Sequence, residues 1–225
     1  MRYAVALPLC ALLAGCGLIS SDVDDFNLAL PEKQFIVDTA DWMLMGTGTV
    51  PDIACPAVDC AMAQSMLCSG TCTAECVLGS CEVSVPMGLF APVNLATDKP
   101  ELAMVDQQNG VRVTIDTVVF NVTTNTLNVA TPALDVYMAP ITVTSPTSPM
   151  AQKVGTIASV APGTMPMGGI GFTPEGRTVM QQYMSDYKTP FNFIVGGVVK
   201  IRGGDALPTG RLEGVITGTA HADAI

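Results

Sequence analysis

"VRVTIDTVVFNV" (residues 111–122) decides the fold class. Val111, Val113 and Ile115 alternate with Arg112, Thr114 and Asp116. That period of two lays one apolar and one polar face along an extended chain, the mark of a half-buried strand. The same signal recurs on both sides of it. Upstream, "QFIVD" (34–38) reads as a strand. Downstream come "ALDVYMAPITV" (133–143), one or two strands broken at Pro140, then "QKVGTIASV" (152–160) and the short "GGIGF" (168–172). "PFNFIVGGVVKIR" (190–202) puts Phe191, Phe193 and Val195 on one face, and "GRLEGVITGTAHA" (210–222) alternates again. Gly196–Gly197 inside a strand predicts a bulge or a close backbone approach. Turn signals, "QQNG" (107–110), "SPTSP" (145–149), "APGT" (161–164) and "GGDALPTG" (203–210), separate these runs.

One segment breaks the period. "TPEGRTVMQQYMSDY" (173–187) offers Thr173 as N-cap and Pro174 at the first helical position. Val179, Tyr183 and Tyr187 fall four apart, as do Met180 and Met184, so one face of a helix over 174–187 points at a core. Methionines in such a stripe fill gaps against a sheet. Several short strands and one helix predict a mainly β chain: an antiparallel β-sandwich over residues 89–225. The lone Trp42 reads as a core anchor of the segment before it.

That preceding segment, 34–88, carries six of the eight cysteines: Cys55, Cys60, Cys68, Cys72, Cys76 and Cys81. The residues between them are mostly Ala, Ser, Thr and Gly, too little apolar bulk for a core without staples. "AVDCAMAQSML" (57–67) supports one or two helical turns, which "CSGTC" (68–72) ends. No C-x-x-C occurs among the six, so the usual zinc-ribbon and thioredoxin-like signatures are missing, and there is no C-x-x-C-H for haem. Three disulfides are the expectation if the chain is exported, in a pairing that spacing does not choose. A redox or metal-handling cluster is the alternative.

Export is written at the N-terminus. Arg2 precedes an apolar run from Tyr3 to Ala14, the layout of an export signal and too short to span a bilayer as a helix. The run ends in "LAGC" (Leu13–Cys16). It resembles the lipobox of bacterial lipoproteins. The resemblance implies a signal peptide over 1–15, cleavage before Cys16, and acyl chains of the palmitate type on Cys16. Several such chains hold a protein firmly at a membrane. By the same resemblance Gly17, where an Asp commonly retains such proteins in the inner membrane, permits sorting to the outer membrane, and the expected location is the cell envelope at that membrane. Cleavage removes one base, Arg2, and no acid, so the net charge moves from −10 to −11. That acidity argues against a nucleic-acid partner. Residues 16–33, with Ser20, Ser21, Asp22, Asp24 and Asp25, read as a lipidated flexible tether.

The larger domain also resembles the late-embryogenesis-abundant type 2, or water-stress and hypersensitive-response, β-sandwich. The matching pieces are "VVFNVTTNTLNV" (118–129), "LDVYMAP" (134–140), "KVGTIASVAPGT" (153–164) and "FIVGGVVKI" (193–201). The Asn-Pro usual in the bend of that family is replaced by Asn121-Val122 and Asn125-Thr126, and the helix is extra. The resemblance implies no catalytic residues.

Little else points to chemistry. No G-x-S-x-G, H-E-x-x-H, P-loop or G-x-G-x-x-G occurs. The single histidine, His221, lies on the polar face of the last strand and reads as a solvated surface residue. "DVDD" (22–25) lacks the alternating ligands and glycine of a calcium loop. Asp98, Glu101 and Asp106 would be the carboxylates of a small hydrolase, without a supporting motif. The expectation is a lipid-anchored cell-envelope protein with a structural or binding role: no enzyme, no cofactor, no resident metal, and a protein or envelope partner of unknown identity.

Overall fold

The computed structural model describes residues 25–46, 48–55, 59–100, 102 and 111–224. Two antiparallel sheets pack face to face. The first contains β1 (Asp25–Ala29), β2 (Lys33–Asp38), β5 (Val111–Asn125), β8 (Met167–Gly169) and β11 (Arg211–Ala224). Its order is β1-β11-β5-β8, with β2 on the same edge of β11 as β1: β1 pairs with Thr219–Asp223 and β2 with Arg211–Ile216. The second runs β3 (Thr73–Val77), β4 (Ser80–Val93), β10 (Phe191–Arg202), β6 (Leu134–Pro140), β7 (Gln152–Ile157) and β9 (Gly171–Phe172) in that order. The chain is therefore mainly β, an antiparallel sandwich, as the period-two pattern requires.

One core lies between the sheets. Val113, Val118, Phe120 and Val122 of β5, with Leu212, Ile216 and Ala220 of β11, face Val83, Val85 and Val93 of β4 and Phe191, Phe193 and Val195 of β10. Each large side chain buried there contributes about 1.5–3 kcal/mol of transfer free energy. Phe191 meets Phe193 edge-on, with ring centroids 5.7 Å apart.

Three departures from simple alternation shape the sandwich. In β5 the register against β11 slips at Thr219/Ala220 and again at Glu213/Gly214, leaving Asp116 and Thr123 as the extra residues of two bulges. The slip at Asp116 moves the buried positions from Val113 to Val118, Phe120 and Val122. In β7 a third slip leaves Val154 extra, opposite Val136/Tyr137. At Gly196 there is no slip; pairing with β4 continues through it, and pairing with β6 reaches it as its last pair. A Cβ there would stand 2.7 Å from Pro146, and one at its cross-strand partner Gly88 2.9 Å from the same ring. The glycines thus mark a close approach, by the Pro146 loop.

The helix begins where the sequence places it. Thr173 caps α3 (Pro174–Met184), its side chain accepting from the Gly176 amide; α1 (Cys60–Leu67) and α2 (Leu95–Asp98) precede it. It ends at Met184 rather than at 187. The Asp186 carboxylate accepts from the Lys188 amide and the Thr189 hydroxyl, which turns the chain one residue beyond the Ser185 cap. Met180, Met184 and Tyr187 are buried, while Val179 and Tyr183 pack partly covered against the same core.

Two boundaries differ from the sequence reading. Residues 25–33, read there as part of a tether, supply β1 and the start of β2, with Leu28 buried. The reason is the alternation Phe26, Leu28, Leu30, outweighed in a reading of composition by the neighbouring acids. The division between 88 and 89 falls inside β4, which runs unbroken from Cys81 in the cystine module to Val93 in the sandwich. Trp42 closes a 3-10 turn (Thr39–Trp42) and packs partly covered on the core. Among the described residues, no helix is long and apolar enough to cross a membrane.

Candidate functional site

The cystine module is built on the β3–β4 hairpin. Its two tip residues, Leu78 and Gly79, both take positive φ, 52° and 86°, the backbone that a two-residue hairpin turn demands. Cys76 and Cys81 are cross-strand partners flanking the tip. The segment before α1 lies over it: the Cys55 amide donates to the Gly79 carbonyl at 3.0 Å, the Cys81 amide to the Ile53 carbonyl at 2.9 Å, and Ala54 bridges Ser80. The Ser80 hydroxyl donates to Asp52 at 2.6 Å. Asp59 caps α1 by accepting from the Ala61 amide.

Three disulfides close this arrangement: Cys55–Cys76, Cys60–Cys81 and Cys68–Cys72. The first two bind Cys55 and Cys60 to the hairpin. Cys60, Cys81 and Ala63 form a small buried cluster of their own. Here α1 covers the inner face of the hairpin, the place that the opposite sheet takes further along β4. Leu67, Cys68 and Cys72 instead join the main core. The Met45 amide donates to the Leu67 carbonyl and the Ser69 amide to the Met43 carbonyl, so this end of the module is tied to the chain after Trp42. All six cysteines expected to pair are paired.

Beside the module lies a charged cluster that the sequence reading missed. Glu82 points to the outer face of β4, yet its side chain is 1% exposed. Lys200 Nζ donates to one carboxylate oxygen at 2.7 Å and Arg202 Nε to the other at 2.5 Å. Hydrogen bonds from Lys200 and then Arg202 hold the Glu82 carboxyl below its ordinary range, against the cost of burial. The signal was present as "KIR" beside Glu82 in register, but it needs the β4–β10 pairing to be read.

The other candidates fall apart. His221 is not simply solvated: its Nδ1 lies 2.6 Å from Asp116 Oδ1, and Asp116 is the bulged residue of β5. A bulge re-aims a side chain that regular pairing would have held in step. Asp98 faces Lys33 at 3.4 Å, while Glu101 and Asp106 lie outside the described residues, as does the lipidation residue Cys16. A small apolar crevice of about 20 Å³ lies between the sheets, lined by Leu30, Lys33, Val93, Val118, Met184 and Phe193 among others.

No protein-family model matches the chain, and no curated protein matches it. Among solved structures it is similar to a chain of "Structure of infectious bursal disease virus Gx strain", at 9% identity and a TM-score of 0.20. The match covers 86% of this chain but spans only 37% of the viral one. At that TM-score the likeness carries no argument.

Proposed function

We propose that this protein is a lipid-anchored lipoprotein of the bacterial cell envelope, sorted to the outer membrane, with a structural or binding and non-catalytic role. The observation that carries the reading is "LAGC" (13–16) behind the charged start and apolar run of an export signal. Acyl chains on Cys16 would make the membrane its first partner. Three disulfides agree with an oxidising compartment, since thiols paired in this way are rare in the cytosol. The sandwich would serve as a scaffold of the late-embryogenesis-abundant type 2 kind. The test is Cys16→Ser followed by membrane fractionation and labelling with radioactive palmitate. Loss of label and release from the membrane are expected; unchanged attachment would refute the anchor.

A second reading is a redox or metal-handling role for the cysteine cluster. It is supported by the Sγ atoms of Cys55, Cys60 and Cys81, which lie within 4.8 Å of one another.

A further inference from the structure

Two of the three disulfides lie together. The Sγ atoms of Cys55, Cys60 and Cys81 are mutually within 4.8 Å, and Cys76 is bonded to Cys55, so four sulfurs share one neighbourhood. Zinc–thiolate bonds of about 2.3 Å place tetrahedral ligands about 3.8 Å apart. Once the bridges are open, Cys55, Cys60 and Cys81 already lie within about 1 Å of that spacing, and Cys76, released beside Cys55, is the nearest fourth ligand.

The chain layout agrees. Taken as these four alone, the cysteines read C-x4-C, fifteen residues, C-x4-C. That is two close pairs separated by a longer span, the pattern of thiolate zinc sites with slightly wider pairs. One pair flanks the tight turn at Leu78–Gly79, and Cys55 of the other pair is hydrogen-bonded to that turn. The two arms are joined by backbone hydrogen bonds from Cys55 to Gly79 and from Cys81 to Ile53, which do not depend on sulfur. A surface depression lined by Cys55, Cys60, Cys76, Asp59 and Glu75 opens onto the bridges. It gives a reductant and a cation access, and its two carboxylates favour the cation. Cys68–Cys72 packs in the main core and stands apart from this group.

We propose that Cys55–Cys76 and Cys60–Cys81 are the oxidised form of a four-thiolate site for a tetrahedral divalent cation of the zinc type. Each bridge takes two electrons and two protons from a dithiol, which leaves as its own disulfide. Two dithiols therefore yield four thiols. The cation then binds four thiolates and displaces four protons, so binding tightens as pH rises. Two equivalents of the oxidised dithiol reverse both steps: each takes up two electrons and two protons, the bridges re-form and the metal leaves. Disulfide and metal close the same loops, and the module stays stapled in either state. The inference develops the second reading above and is independent of the lipid anchor.

The test uses the full chain carrying Cys68→Ser and Cys72→Ser, reduced anaerobically with a dithiol, freed of it and titrated with Co²⁺. One equivalent should give a thiolate-to-cobalt charge-transfer band with the intense visible absorption of tetrahedral cobalt. Zn²⁺ should displace it, oxidation before titration should prevent it, and adding Cys76→Ser should abolish it. Octahedral, weak or non-stoichiometric binding would overturn the proposal. If reduction unfolds the module, Zn²⁺ must restore the circular dichroism of the oxidised protein; failure to do so also overturns it. Membrane fractionation of Cys16→Ser reads the anchor separately.

Discussion

Cys76 and Cys81 stand directly opposite one another in the β3–β4 hairpin, yet neither is bonded to the other. Each reaches out of the ladder to a cysteine twenty-one positions earlier in the chain. The bridges therefore do not reinforce a pairing that the ladder already makes. They tie Cys55 and Cys60 to the hairpin, beside the backbone bonds that Ile53 and Cys55 make to it.

The energetic consequence differs between bridges. A cross-link limits the unfolded chain more when the closed loop is longer. On that account Cys60→Ala with Cys81→Ala costs about 3 kcal/mol, against about 2 for the short Cys68–Cys72 loop. Urea unfolding of the paired double variants measures the difference. An equal or reversed order would show that core packing of Cys68 and Cys72, and not loop closure, dominates.

Glu82 makes stability depend on pH. Lys200 and Arg202 hold its folded-state pKa below the ordinary value near 4.5. The unfolded chain therefore takes up a proton first as acid is added. The contribution is fully present above the unfolded value and is lost as pH falls towards the folded one. Glu82→Gln should lower stability at neutral pH by about 1–2 kcal/mol, less than a fully buried pair because both cations are half-exposed. The variant should also unfold with a shallower dependence on pH between about 5 and 3. Denaturant midpoints across that range test it, and parallel wild-type and variant curves would contradict it.

This cluster also shows where the sequence stops being legible. The strands could be read because each carries its own period of two, and the start of α3 because Thr173 and Pro174 are local signals. Glu82 could not be read, since its burial depends on Lys200 and Arg202 more than a hundred residues away. The bulge at Asp116 was hidden likewise. "VRVTIDTVVFNV" contains apolar residues at every candidate register, and the slip is fixed by β11. For the same reason His221 read as solvated until its Asp116 partner was in place. The disulfides followed from the expected compartment, but their pairing depends on the hairpin setting Cys76 opposite Cys81.

Gly176 sits in the first turn of α3, where a Cβ would lie 1.9 Å from the Val154 carbonyl oxygen. Val154 is the extra residue of the β7 bulge, and its carbonyl also accepts from the Thr173 amide. In an exposed helix, glycine to alanine would stabilise by up to about 1 kcal/mol. Here Gly176→Ala must push the helix off the sheet and should cost about 2–3 kcal/mol. Gly168→Ala in β8 has open space around its Cβ and is the control, expected to be close to neutral. Thermal unfolding of both variants decides the matter, and a neutral Gly176→Ala would mean that the helix and bulge separate at little cost.

Asn192 ties the loop after β6 to the outer face of β10. Its side-chain amide is buried and donates to the Ile141 carbonyl at 2.9 Å and the Val143 carbonyl at 2.8 Å. Beneath the loop, Ile194, Ala139 and Val143 form a small apolar cluster, and Pro146 rests on Gly196 and Gly88. Asn192→Asp keeps the shape but replaces both donors with acceptors facing two carbonyl oxygens. Ionised, it should destabilise the protein by about 3 kcal/mol and free the loop for cleavage. Protonated, the acid recovers one donor, so burial raises its folded pKa above the unfolded value. The deficit relative to wild type is then smallest in acid and grows as pH rises through the carboxyl range. Paired denaturant titrations at acidic and neutral pH, with limited proteolysis at 141–149, measure both effects. A deficit independent of pH would show that the loop is held by its apolar contacts and not by the amide.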